Sequence, residues 1–227
     1  MNISDKLLTH LFDERVAANV AAAFLRLAEG ELNILKLMKL MYLAERKSYQ
    51  LYAEPMIGDK LVAMPRGPVL SMTYDCVNSG GLLGDDGWDG WVSDRANHIV
   101  SLNKNVESIE TLPMLSADYV ALIQQTWNQF GHLDQFQLVE YTHDPHNCPE
   151  WSDPNGSSFD IPLTDLFQHL GFSEQKIESS LADLYTQAQI KQAFSQAEQA
   201  SPHAAWYCRW RYAVIRHLRR ATSPHHS

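Results

Sequence analysis

Apolar residues recur at helical spacing from the first segments of the chain. Between Asp13 and Gly30, Val16, Val20, Phe24, Leu27 and Ala28 share one face, and Gly30 supplies a stop. A second helix over residues 32–52 follows almost at once, anchored by Leu37, Leu40, Met41 and Ala44 and ending before Pro55. Its wide apolar arc marks it as the central helix of the core. Further on, Ser116 is placed to cap a helix with Tyr119, Ile123, Trp127 and Phe130 as its buried stripe and Gly131 as terminator. Asp134 caps a shorter helix ending near Asp144. After a Pro/Gly/Ser-rich connector at 152–162, a short helix stopped by Gly171 precedes one capped by Ser173, with Ile177, Leu181 and Leu184 inward.

Extended pieces are few. A short one precedes a turn at Pro65–Gly67, after which Pro68 is suited to open a helix reaching Val77. Residues 91–103 alternate around a polar Asp94–Asn97 turn, as a hairpin does, and the acidic stretch GDDGWDGW before them reads as a surface turn. The predicted fold is mainly α (α+β): a compact helical domain over 1–154 with a small antiparallel sheet, then a helical extension over 155–227.

Charge refines this picture. Net charge is −9, against broad nucleic-acid binding, but it is uneven. Residues 1–160 hold 11 Lys/Arg and 22 Asp/Glu, a balance of −11, whereas residues 206–227 hold five arginines and no acid. There Trp206, Trp210, Val214 and Leu218 recur at helical spacing among Arg209, Arg211, Arg216, Arg219 and Arg220, a basic amphipathic face for docking locally or on an acidic partner, with nucleic acid as a third possibility. Lys36, Lys39 and Arg46 share one side of the second helix. The plain reading is a solvated basic stripe, the alternative a partner-facing one. With no apolar run of membrane-spanning length and three scattered cysteines, the chain reads as cytoplasmic.

The stretch THDPHNCPEW, 142–151, offers His143, His146 and Cys148. Structural zinc needs a fourth ligand and usually paired elements, and no second pair occurs elsewhere. A Cys148–histidine thiolate pair would sit before Pro149 in a loop, away from the helix starts where reactive cysteines gather. Phosphate-loop, nucleophile-elbow and zinc-protease motifs are absent. No metal, cofactor or enzymatic activity is expected. A winged-helix element order and a helix–turn–helix look-alike at 163–184 both lack the basic recognition helix that DNA reading requires.

Three motifs in order carry a resemblance. Lys39, Tyr42, Leu43 and Ala44 match a Lys-Leu-x-Tyr-Leu-Ala helix; Gly67, Pro68 and Val69 follow Arg66 as a Gly-Pro-Val turn; Thr142, His143, Pro149 and Trp151 form a Thr-His … Pro-x-Trp segment. Together, over residues 14–151, they resemble the Panacea domain, the SocA-type antitoxin family of bacteria and their phages. The resemblance implies neutralisation of a cognate toxin by direct protein–protein contact, with a proteolysis adaptor as one alternative; a DNA-binding autoregulator working through the arginine-rich tail is the other, and no membrane partner is expected. It also makes the 142–151 loop structural or recognitional: Thr142 and His143 end a helix by hydrogen-bonding nearby backbone, and Trp151 folds back as an apolar anchor. The family's aromatic-rich Ala-Trp-x-Tyr stretch before Gly-Pro-Val is replaced here by VAMPRGPV, a change able to retune partner choice.

Overall fold

The computed structural model describes the backbone of residues 3–200 and the side chains of residues 6–197. The segment with Trp206, Arg209, Trp210 and Arg216 lies outside the described residues. Helix α1 (Ile3–Leu8) runs through a 3₁₀ turn into α2 (Glu14–Leu27), where the Asp13 carboxylate accepts the N–H groups of Arg15 and Val16. Ala17, Ala18 and Ala21 to Ala23 are fully buried, so α2 is enclosed on more than its predicted face. Small side chains there let α3 and α5 approach closely. Glu29 and Gly30 take positive φ and end the helix as expected.

Strand β1 (Glu31–Asn33) then leads into α3 (Ile34–Tyr52), capped by Asn33. Its Leu37, Leu40, Met41 and Ala44 are all buried. Strands β2 (Leu61–Met64) and β3 (Gly67–Leu70) form a hairpin across the two-residue turn Pro65–Arg66, and α4 (Ser71–Ser79) follows. Beyond β4 (Ile99–Ser101), α5 (Ala117–Phe130) is capped by Ser116 and α6 (Gln135–His143) by Asp134 in a reciprocal capping box. The chain continues through β5 (Phe159–Asp160), α7 (Leu163–His169) and α8 (Glu174–Ala200). The protein is mainly α with small antiparallel sheets, one pairing β1 with β4 and one in the order β3-β2-β5. No helix among the described residues is long and apolar enough to cross a membrane.

Three expectations are corrected. Pro68 opens no helix: it lies in β3 opposite Ala63, and the helix begins at Ser71. Ser71 N–H bonds Lys60 C=O at 2.9 Å, so in that register Val62/Val69 and Met64/Gly67 are the hydrogen-bonded pairs. Pro68 occupies the other kind of position, where its missing N–H points away from the ladder and costs nothing. The 91–103 segment does return on itself, through Ala96/Ile99 and Val92/Leu102 bridges about Asn97 and His98, but β4 takes its ladder partner from β1. The acidic turn is also more than surface. Trp88 is buried and the loop around it closes on the Glu14 carboxylate.

Side chains beyond residue 154 enter the same apolar core as α2 and α3. Ile161, Leu166, Phe167, Ile177, Leu184 and Ala188 are all buried in it. Phe167 meets Tyr49 of α3 edge-on at 5.6 Å and stacks on Phe172.

Candidate functional site

The three sequence motifs converge on one buried cluster joining α3, the β2–β3 hairpin and the end of α6. Its geometry begins with the Pro68 carbonyl. At the non-hydrogen-bonded position of β3 that oxygen faces away from β2, so a buried edge must find it another donor. Lys39 provides one: its side chain is fully buried and Nζ donates to Pro68 O at 2.8 Å. Gly67 makes the approach possible. With φ +94° it adopts a conformation open to glycine, and a Cβ there would lie 2.8 Å from Lys39 Nζ and 2.7 Å from Thr142 Oγ1. Thr142 Oγ1 in turn donates back to Leu138 O within α6.

Trp151 closes the cluster from the loop after α6. Its Nε1 donates to Met64 O at 3.0 Å, fixing the first strand of the hairpin, while its ring stacks on His143 at 4.0 Å and nearly parallel. The expectation that His143 bonds nearby backbone is corrected. Its Nε2 is buried with no hydrogen-bond partner, and stacking holds the ring instead. Burial, and then the Lys39 charge, keep His143 below the usual imidazole range against the pull of Asp153. Arg66, at the hairpin turn, is exposed.

A second set of bonds ties the same loop to α3. Glu150, the variable position of the Pro-x-Trp motif, accepts Tyr42 Oη at 2.5 Å and Arg46 Nε at 2.7 Å through Oε1, and Arg46 Nη2 at 3.2 Å through Oε2. Cys148 is buried beside it. The solvated basic stripe is therefore corrected along its length: Lys39 is sealed, Arg46 is paired with Glu150, and Lys36 donates to Gly131 O at 2.7 Å while lying over Trp127.

Burial lowers the Lys39 ammonium to about 7, the nearby Cys148 opposing. Burial, reinforced by Glu150, pushes the Cys148 thiol up to about 12. A protonated, enclosed thiol is a poor nucleophile. A cleft of about 540 Å³ edged by Arg26, Glu29, Lys104 and Glu107 shares no residue with the cluster. The cluster's evident work is to join three elements that are distant in sequence.

Of the motif residues and candidates named from the sequence, Lys39, Tyr42, Gly67, Pro68, Thr142, His143 and Trp151 lie in this cluster, whereas Arg66 stands outside it at the exposed turn. Glu150 joins them without belonging to any motif, and its signal in the sequence was an acid between two motif residues. The family model described as "Antitoxin SocA-like, Panacea domain" matches residues 37–152, which span every member of this cluster. No curated protein and no solved structure matches the chain.

Proposed function

The chain belongs to the SocA-like antitoxin family with a Panacea domain, and from that premise we propose that it neutralises a cognate toxin by direct protein–protein contact. The observation that carries the reading is where the matched residues go. Lys39, Gly67, Thr142, Glu150 and Trp151 are spent on holding α3, the hairpin and α6 together. Such a frame supports an interaction surface rather than a reaction centre, and the antitoxin acts by contact without catalysis. Partner recognition then rests on side chains outside the frame.

The same reading places toxin and antitoxin in one cytoplasm. Both described cysteines are free and buried, in keeping with a reducing compartment. The test is co-expression with the product of the adjoining open reading frame. That product alone should arrest growth, and this chain should restore it and bind the purified product stoichiometrically. Growth arrest that persists despite well-folded antitoxin would overturn the proposal.

A further inference from the structure

The loop between α4 and β4 spends buried polar groups on an exposed apolar tip. Leu82 is 95% exposed and Leu83 44% exposed, side by side. A lone surface leucine needs no explanation, but these two stand on a backbone held in an unusual way. Glu14, only 6% exposed, turns its carboxylate onto the loop and accepts the N–H groups of Leu82 at 2.9 Å, Leu83 at 3.2 Å and Trp88 at 3.0 Å. Asp89 accepts Gly81 N–H at 2.9 Å.

Glycines allow this close wrapping. A Cβ on Gly81 would lie 2.3 Å from Glu14 Oε1, one on Gly87 2.0 Å from the same oxygen, and one on Gly90 1.9 Å from Asp85 O. Trp88 then plugs the base of the loop into the core. The result is a rigid pedestal whose two leucines face outward. Asp85 and Asp86 flank them, both exposed, while Lys104 donates to the Asp85 backbone carbonyl at 3.4 Å and lies over the Trp91 ring.

We infer that the Leu82–Leu83 tip is the apolar anchor with which this protein engages its partner, a protein presenting an apolar socket rimmed by lysine or arginine. The inference rests on the proposed antitoxin role and names the surface that performs it. Two features point to that occupant. The backbone beneath the leucines is already held by the Glu14 carboxylate, so seating them in a socket carries little backbone cost. The adjacent acids, in a region with a balance of −11 over residues 1–160, complement a basic rim and steer its approach.

The experiment compares wild type, Leu82→Asp/Leu83→Asp and Asp85→Lys/Asp86→Lys. Each is tested for growth rescue and for binding to the purified product of the adjoining open reading frame, with thermal melts run in parallel. The leucine variant should bind roughly 30-fold more weakly or worse, the loss expected of a hot spot. The charge variant should associate more slowly, with a weakened salt dependence. Both should melt close to wild type, because all four altered residues are exposed, Leu83 less so than Leu82. Full rescue and unchanged binding by the leucine variant overturn the surface and leave the antitoxin role standing. Failure of the wild type to rescue overturns the role, and the surface falls with it. A melting temperature lowered by the leucine change would make the tip a structural element and reject the inference. Wild type that self-associates through the loop, with the leucine variant monomeric, would replace the toxin with a second copy as occupant.

Discussion

At Gly67 a single hydrogen is all that separates β3 from Lys39 and Thr142. Gly67→Ala adds a methyl within 2.8 Å of two polar atoms and places alanine at φ +94°. Conformational strain and overpacking together should cost about 2–4 kcal/mol. Chemical denaturation checks this, and a midpoint close to wild type would show that the hairpin yields more readily than its packing implies. Lys39 carries a second expectation, in pH. Its ordinary value is 10.5 and its folded value about 7, so between those limits the unfolded chain holds a proton that the folded chain has released. The Lys39 contribution to stability therefore rises as pH climbs from about 7 towards 10.5. Glu45 acts in the opposite sense. Burial raises it from 4.5 to about 7 against the pull of the three backbone N–H groups it accepts, so its contribution falls between those values. Stability measured against pH should dip near 7, and Lys39→Met should abolish the alkaline rise while leaving the acid-side fall. A parallel alkaline rise in the variant would remove Lys39 as its source. The positions of Gly67 and Lys39 were legible in the motifs, but the burial of Lys39 and the part played by Glu45 were not. The need for a buried Lys39 arises from a proline carbonyl turned away from its own ladder, which becomes visible only once β3 has a register.

Between elements, Glu150 ties the loop after α6 to α3. It accepts from two residues of α3 one turn apart, Tyr42 and Arg46, and so holds the 148–151 turn against that helix. Glu150→Ala leaves the Tyr42 hydroxyl and a largely buried guanidinium unpaired, and should cost about 3 kcal/mol. Tyr42→Phe alone removes one donor and should cost about 1 kcal/mol. A double-mutant cycle on urea midpoints measures the coupling between them; additivity would mean that the two act independently. Helix ends were the part of this layer readable in advance. Ser116 and Asp134 cap α5 and α6 because short polar side chains compete well for free N–H groups. Strands were harder to read. Gly-Pro-Val has the local chemistry of a helix start, and only pairing with β2 makes it a strand. Similarly, β4 shows hairpin alternation yet joins β1 from 68 residues earlier, a contact that no local pattern encodes.

For the whole molecule, the decisive feature is that α7 and α8 close the core. Phe167 is fully buried between Tyr49 and Phe172, while Leu184 and Ala188 of α8 are likewise sealed. Lys191 Nζ donates to Leu11 O at 2.7 Å, and Gln187 reaches Glu54, so α8 also binds the first turns of the chain and the end of α3. Phe167→Ala should cost about 3–5 kcal/mol, the usual range for a buried aromatic truncated to alanine. Ending the chain after Asp160 removes Leu166, Phe167, Ile177, Leu184 and Ala188 together and uncovers Tyr49. That loss is comparable to the entire stability of an ordinary domain. The truncated protein should therefore lose cooperative unfolding and bind hydrophobic dye, whereas Phe167→Ala should keep a single transition at a lower midpoint. If residues 1–160 alone melt cooperatively near the full-length temperature, the matched region is self-sufficient and the later helices are an accessory layer. Loss of the transition would instead make the frame of residues 37–152 dependent on α7 and α8, so that any partner of the matched region meets a surface those helices help to hold in shape.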